Sequence, residues 1–135
     1  MQKFDEKAPV NLDEAIDAIE SAYELMLAYA AQGRAREEGD PMGVRRALEN
    51  ALVALDLIGA ASPETIGSRG GASAASVAGF LAIIRQDAEK ARAIFAFVLG
   101  QALIGSQLID NLNASIHVRA LLTDLFLLDE AISAG

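Results

Sequence analysis

The sequence predicts an all-α protein, an up-down bundle of four to five helices with no β-sheet. Apolar residues recur at spacings of three and four along most of the 135 residues, which is typical of one face of a helix. No segment shows the sustained period-two alternation, rich in β-branched residues, that a half-buried strand requires. We expect residues 1–10 to form a flexible N-terminal arm and residues 11–135 to form a single helical-bundle domain.

The first predicted helix begins at Asn11, which is a good N-cap residue. Glu14 follows three residues later and completes the pattern of a capping box. Gly33 is the predicted end, with an extension to Glu38 as the alternative. One apolar stripe runs along this helix and contains Leu12, Ile16, Ile19, Tyr23, Met26 and Ala30.

The second predicted helix starts at Asp40-Pro41, an N-cap followed by proline at the first helical position, and ends at Gly59. The short connection favours an antiparallel hairpin with the first helix. Ser62-Pro63-Glu64 predicts a short helical turn that gives way to a glycine-rich loop over 67–73. The apolar positions of the second helix are Val44, Leu48, Ala51, Leu55 and Ile58.

The C-terminal half contains a long segment, 74–110, without proline. Ser73 is its predicted cap. One long helix through the whole segment is the alternative, but we expect two helices or one kinked helix with the bend near Asp87, where the sequence becomes polar on all sides. Asn111 or Asn113 then caps the last helix. The stripe of this last helix consists of Ile116, Ala120, Leu121, Leu125, Leu128 and Ile132.

Composition excludes several classes of function. With 11 basic and 19 acidic residues the net charge is −8, which argues against binding to nucleic-acid phosphates. A hydrophobic content of 53% argues against disorder. The sequence has no Cys and 1 His, so disulfides, thiolate zinc sites and multi-histidine sites are excluded within one chain. We find no catalytic set and expect a non-enzymatic protein without cofactor or metal, in the cytoplasm because no targeting segment is visible.

The segment 93–109 is apolar on every face if it is one helix, and such a helix has to be surrounded. Its length lies at the lower limit for a membrane span, so we favour a buried helix. A compact monomer is one alternative, but a small chain has a large surface for its volume, and we expect a homo-oligomer, most simply a two-fold dimer. The predicted interface consists of Phe95, Phe97, Leu99, Leu103, Leu121, Leu125 and Phe126.

Four acidic residues follow a spacing of four, three and four, and so form one edge of the first helix: Asp13, Asp17, Glu20 and Glu24. Residues 1–40 carry four basic and ten acidic groups, net −6, so this edge would attract a basic protein partner. The alternative is a solvated flank paired with Arg45 and Arg46. A divalent-ion site is disfavoured, since the facing Glu-x-x-His motifs of carboxylate bundles are missing.

Two further features allow a ligand or a covalent role. His117 lies in the first turns of the last helix and is similar in setting to the phospho-acceptor of sensor kinases, although Val118 replaces the acidic residue that follows the histidine and the basic residue is Arg119. A structural His is the alternative. The loop 67–73, with Arg69, leads into a helix N-terminus and would hold an anion if it is not a plain linker.

These observations favour a non-enzymatic adaptor, regulator or assembly factor that works through self-association and protein–protein contact. The first alternative is a protein that holds an apolar small molecule between its helices, and the second is a phosphotransfer module that uses His117. The aromatic residues that would line such an apolar pocket are Tyr23, Tyr29, Phe80, Phe95, Phe97 and Phe126.

Overall fold

The computed structural model describes residue 4 and residues 6–35, 42–70 and 73–134. These ranges contain helices and connections but no strand, which confirms the all-α prediction. Two short helices bring the number of described helices above the expected four to five. In chain order the six described helices are α1 (Leu12–Ala31), α2 (Val44–Gly59), α3 (Pro63–Gly70), α4 (Ala74–Leu99), α5 (Ser106–Asn113) and α6 (Ile116–Ala134).

The central layer of the bundle is α2 between α1 and α4, and α6 packs on α4. Arg45 at the start of α2 contacts the carbonyl of Leu99 at the end of α4, whereas Arg85 of α4 reaches the carbonyl of Ala61, just beyond α2. The two helices therefore run antiparallel. The core lies between α1, α2, α4 and α6, and its largest fully buried side chains include Ile16, Met26, Tyr29, Leu48, Leu55, Leu81, Ile84, Phe95 and Leu121.

The start of α1 confirms the predicted cap. The Oδ1 of Asn11 accepts a hydrogen bond from the backbone N–H of Glu14 at 2.9 Å. Glu14 in turn accepts from the N–H of Val10 at 3.2 Å, one residue before the donor of the usual capping box. The helix ends at Ala31, and Gly33 takes a φ of 63°. The predicted end near Gly33 is thus close, and the extension to Glu38 is wrong.

The start of α2 differs from the prediction. Asp40 and Pro41, the expected cap and first residue, lie outside the described residues, and α2 begins at Val44. Gly43 precedes it with a φ of 74°, a left-handed conformation that favours glycine. A Cβ on Gly43 would collide with the carbonyl oxygen of Phe4, so glycine is also needed for space. The predicted end at Gly59 is confirmed.

The N-terminal segment contacts α2. The backbone N–H of Phe4 donates to the carbonyl of Met42 at 2.8 Å, and Pro9 is buried. The side-chain amide of Asn50, itself buried, donates to the carbonyl of Glu6 at 3.0 Å. We expected a flexible arm over 1–10. The described residues of this segment lie along the first turns of α2.

The region from α3 to α4 confirms both predicted helix starts. The short helix begins at Pro63, as the Ser62-Pro63-Glu64 pattern indicates, but it continues to Gly70, so the loop expected from residue 67 starts later. The hydroxyl of Ser73 accepts from the N–H of Ser76 at 3.2 Å and caps α4. The side chain of Arg69, which carried the anion-site prediction, lies outside the described part of the chain.

The predicted bend near Asp87 is wrong, because α4 runs through this residue without interruption for 26 residues. The polar stretch stays helical because its inward positions are occupied by small residues. Ala88 and Ala91 lie at these positions and are buried. The chain breaks instead over 100–105, so 93–109 is not one helix. Gly105 permits this break, since a Cβ there would lie 2.9 Å from the carbonyl oxygen of Ala35.

The cap of the last helix is also corrected. Asn111 and Asn113, the two predicted caps, both lie inside α5. α6 begins at Ile116, after Ser115, whose hydroxyl accepts from the N–H of Val118 at 3.5 Å. The predicted stripe of the last helix is also corrected at its start, because Ile116 is 74% exposed and the buried face of α6 begins at Val118.

Candidate interaction surface

The seven residues predicted for an interface separate into three groups by burial. Phe95, Leu121 and Leu125 are fully buried in the chain's own core. Leu99 is half-buried against the core, while the other three side chains face outward. Phe97 is 68% exposed, Leu103 54% and Phe126 50%.

Phe97 and Leu103 belong to the longest uncharged run of the sequence, 93–109. The exposed residues between Arg92 and Leu103 are apolar or glycine: Ala93, Ala96, Phe97, Gly100, Ala102 and Leu103. We call these six residues the apolar surface. Phe126 lies on the outer face of α6, beside the exposed Leu127. Large exposed side chains in an uncharged setting are typical of contact sites rather than of isolated surface residues.

The apolar surface is held in shape by a guanidinium. Arg45 at the start of α2 donates to the carbonyls of Leu99 at 3.1 Å, Gln101 at 2.8 Å and Ala102 at 3.0 Å. The carbonyl of Leu99 belongs to the last turn of α4 and the other two follow it, where intrahelical donors are missing. A positive group at a helix C-terminus also interacts favourably with the helix dipole. Arg45 therefore fixes the backbone that presents Leu103.

A second set of hydrogen bonds joins this connection to the end of α1. The buried hydroxyl of Tyr29 donates to the carbonyl of Ile104, and Ser106 donates to the carbonyl of Tyr29 at 2.7 Å. The N–H of Arg34 donates to the Ser106 hydroxyl, and its carbonyl accepts from the Ser106 N–H, both at 2.8 Å. We call this network the polar junction, which consists of Tyr29, Arg34, Arg45 and the segment 99–106.

The acidic edge of α1 is only partly a surface feature. Asp13, Asp17 and Glu24 are exposed, but Glu20 is half-buried and faces Asp129 of α6. A side-chain hydrogen bond with Asp129, together with partial burial, raises the pKa of Glu20 to about 7. The charges of Asp17 and Glu24 act in the same direction. Arg45, one of the two expected partners of this edge, donates to the carbonyls of the polar junction.

A second acid pair joins α6 to α4 and was missed at the level of sequence. Asp124 is 7% exposed, and its Oδ2 has no hydrogen-bond partner. Burial, followed by a hydrogen bond with Asp87 and the charge of that residue, raises the pKa of Asp124 to about 7. The signal was present, because Asp124 falls at an inward position of the α6 stripe, between Leu121 and Leu125.

His117 is exposed on the first turn of α6. Its neighbour Arg119 directs its guanidinium to the carbonyl of Asn113 at 3.4 Å. Exposure of the imidazole is compatible with the phosphotransfer hypothesis, which stays a prediction. Among the described residues, no contact gives it further support. Asn113 itself is 7% exposed, and neither polar atom of its side chain has a hydrogen-bond partner.

Three of the surface clefts formed by the described residues have volumes of about 370, 340 and 320 Å³. Each is lined by both charged and apolar residues; the largest contains Asp56, Arg85, Glu89 and Arg92. Arg92 and Asp56 form an ion pair at 2.6 Å across it. These linings differ from the apolar, aromatic pocket that the small-molecule alternative predicts, since only Tyr23 of the six aromatic candidates lines one of the three clefts.

Within the described ranges, no group of three or more His, Asp or Glu side chains is arranged to hold a metal ion. Likewise, none of the helices described here combines the length and apolar content that crossing a bilayer requires. Comparison of the chain with protein-family models, with curated proteins and with solved structures gives no significant match.

Proposed function

We propose that this chain is a non-enzymatic helical-bundle protein that self-associates, most simply as a two-fold dimer, and acts through protein–protein contact in an adaptor, regulatory or assembly role. The observation that carries the proposal is the apolar surface, where Phe97 is 68% exposed in an uncharged part of the chain. Aromatic side chains are enriched at the energetic centre of protein interfaces. A cytoplasmic location is part of the proposal.

The charge distribution favours the apolar surface as the place where two copies meet. Each copy carries a net charge of −8, so two acidic surfaces repel each other on approach. The run 93–109 has no charged residue, so contact there brings no like charges together within the interface. The acidic edge lies on α1, where Asp13, Asp17 and Glu24 are exposed, and its negative charge would attract a basic protein partner.

The area required is modest. At about 25 cal/mol per Å², covering about 600 Å² of apolar surface per partner gives a gross gain on the order of 15 kcal/mol. Lost translational and rotational freedom opposes association by roughly 4–15 kcal/mol. The balance is favourable only if Phe97 and Leu103 are well packed against the second copy, so both side chains should dominate the affinity.

Sedimentation equilibrium on the intact chain across the micromolar range tests this proposal. We expect a reversible dimer, and we expect Phe97→Ser with Leu103→Ser to raise its Kd at least about thirtyfold, equivalent to about 2 kcal/mol. The loss follows from the buried apolar area that serine does not replace.

Ile116→Ser is the matched control, because Ile116 is equally exposed but lies on the first turn of α6. It should leave the Kd unchanged. Phe126→Ser serves as the third arm, and a larger effect there than at Phe97 would move the interface to α6. A chain that stays monomeric throughout this concentration range would contradict the proposal of self-association.

A further inference from the structure

One side of α4 faces away from the bundle and continues the apolar surface toward the start of the helix. The exposed residues on this side follow spacings of three and four between Gly79 and Gly100. They include two large apolar side chains, Ile83 at 51% exposure and Phe97 at 68%. We call this side the outer face of α4, and its members that differ most in size or charge are Ala82, Ile83, Glu89, Lys90, Ala96 and Phe97.

The charged side chains of the outer face are a single acid and a single base, adjacent in sequence. Glu89 and Lys90 are both exposed, and neither belongs to an ion pair among the described residues. The arginines of α4 point elsewhere, since Arg85 donates to a carbonyl just beyond α2 and Arg92 donates to Asp56 of α2. The outer face therefore presents one negative and one positive group side by side.

The order of these two charges is complementary to itself in an antiparallel pair of α4 helices. If a two-fold axis passes between Glu89 and Lys90, Glu89 of each copy faces Lys90 of the other. A parallel pair would instead place Lys90 against Lys90, and like charges repel at an interface. An antiparallel pair shifted by one heptad would place Lys90 against Ala82 or Ala96, so that its charge has no partner.

Side-chain size is complementary about the same axis. One heptad away from the central pair, Phe97 of one copy faces Ala82 of the second copy, and Ile83 faces Ala96 of the second copy. Each large apolar side chain then lies against a small one, which lets the two helices approach closely and interdigitate. The order of charges and the order of sizes are separate properties of the sequence, and both select this axis.

We propose that a second copy of this chain covers the outer face with its own α4, antiparallel to the first and with the two-fold axis between Glu89 and Lys90. This arrangement rests on the proposed self-association and specifies its geometry. At about 1.5 Å per residue, the outer face extends about 32 Å from Gly79 to Gly100. The apolar surface of each copy therefore packs against the first half of α4 of the other copy, and Phe126 of α6 lies outside the interface.

Exchange of the two central charges tests the position of the axis. Glu89→Lys alone places lysine against lysine at both symmetric contacts, so we expect the Kd of the dimer to rise at least about tenfold in sedimentation equilibrium. The same substitution makes the net charge of −8 less negative, which weakens the general repulsion between copies, so a loss of affinity reports the local contact. The double variant Glu89→Lys with Lys90→Glu restores opposite charges and should return the Kd to within about threefold of the original.

The matched control for the single substitution is Glu130→Lys, which makes the same change of charge at an exposed position of α6. It should not raise the Kd. All of these positions are exposed, so the variants should keep the helical circular dichroism of the unmodified chain.

Disulfide formation between copies tests the direction of the two helices, because the chain has no cysteine of its own. In the antiparallel pair, the exposed Gln86 of one copy faces the exposed Ala93 of the second copy. An equimolar mixture of Gln86→Cys and Ala93→Cys chains should therefore form the mixed disulfide in at least about tenfold excess over either like-with-like disulfide. Like-with-like pairs are offset by about 10 Å along the helix, and a disulfide requires Cα atoms within roughly 7 Å.

The outcomes separate this arrangement from the proposed self-association itself. A dimer whose Kd does not change in Glu89→Lys, or in which Gln86→Cys chains cross-link mainly with each other, would overturn the antiparallel α4 contact and leave self-association standing. A chain that stays monomeric across the micromolar range would contradict both.

Discussion

The polar junction and the surroundings of α6 differ in whether their buried polar groups have hydrogen-bond partners. At the polar junction, Arg45, Tyr29 and Ser106 donate hydrogen bonds to the backbone carbonyls that they face. Around α6, Asp124 and Asn113 are equally buried, yet their side chains keep polar atoms without partners. An unsatisfied buried polar atom reduces stability by about 1–3 kcal/mol. The comparison indicates that the α1, α2 and α4 end of the molecule is rigid and that α6 is the helix that separates most easily.

Among the substitutions that test this difference, Arg45→Met should change the free energy of unfolding the most. Methionine keeps the aliphatic length but leaves the carbonyls of Leu99, Gln101 and Ala102 without their charged donor. We expect the free energy of unfolding to fall by about 3 kcal/mol, measured by urea denaturation. Arg46→Met is the control, because Arg46 is the exposed neighbour on the same helix. Equal effects of the two substitutions would show that the junction does not stabilise the fold.

Ser106→Ala should have an intermediate effect. It removes the hydroxyl that donates to Tyr29 and accepts from Arg34, while the backbone bond between Ser106 and Arg34 stays in place. We expect a loss of about 2 kcal/mol in the free energy of unfolding, since the N–H of Arg34 loses its acceptor and the buried carbonyl of Tyr29 keeps only the N–H of Gln32. Ser76→Ala, at an exposed position of α4, is the control. A loss no larger than that of the control would show that the Ser106 hydroxyl does not stabilise the fold.

Asn113→Leu should have the smallest effect, and the opposite sign. Leucine has a similar volume and replaces an amide whose two polar atoms have no partners. We expect a gain of about 1 kcal/mol in the free energy of unfolding, visible as a higher urea midpoint. Asn111→Leu, an exposed position of α5, should give no gain. If Asn113→Leu lowers the free energy of unfolding, this amide does have hydrogen-bond partners. The two regions would then differ less in how completely their buried polar groups are paired.

Sequence periodicity predicted the helices well wherever capping residues and apolar stripes agree, as at Asn11 and Ser73. It failed where contacts distant in sequence decide the backbone. The start of α2 depends on Phe4 lying against Gly43, and the break at 100–105 depends on Arg45, Tyr29 and the close approach of Ala35 to Gly105. No local pattern carries this information, so a continuous apolar run was interpreted as one helix.

The interface prediction shows the same limit on a smaller scale. Phe95 and Phe97 are equally apolar and only two residues apart, but a helix turns them to different sides, and only Phe97 is exposed. The stripe of α6 placed Asp124 at an inward position, which was the available sign of a carboxyl group buried in the core. Its acidic partner Asp87 is far away in sequence, and only the fold brings the two residues together.

The unequal lengths of two neighbouring helices have a mechanical consequence. At about 1.5 Å per residue, the 26 residues of α4 span about 39 Å, whereas the 16 residues of α2 span about 24 Å. Because Arg85 lies level with the end of α2, the first turns of α4 project past it, and α3 and α6 are among the other helices that pack on α4. A protease that captures the chain while α6 is detached should therefore cut α4 within its first turns and leave the other end intact.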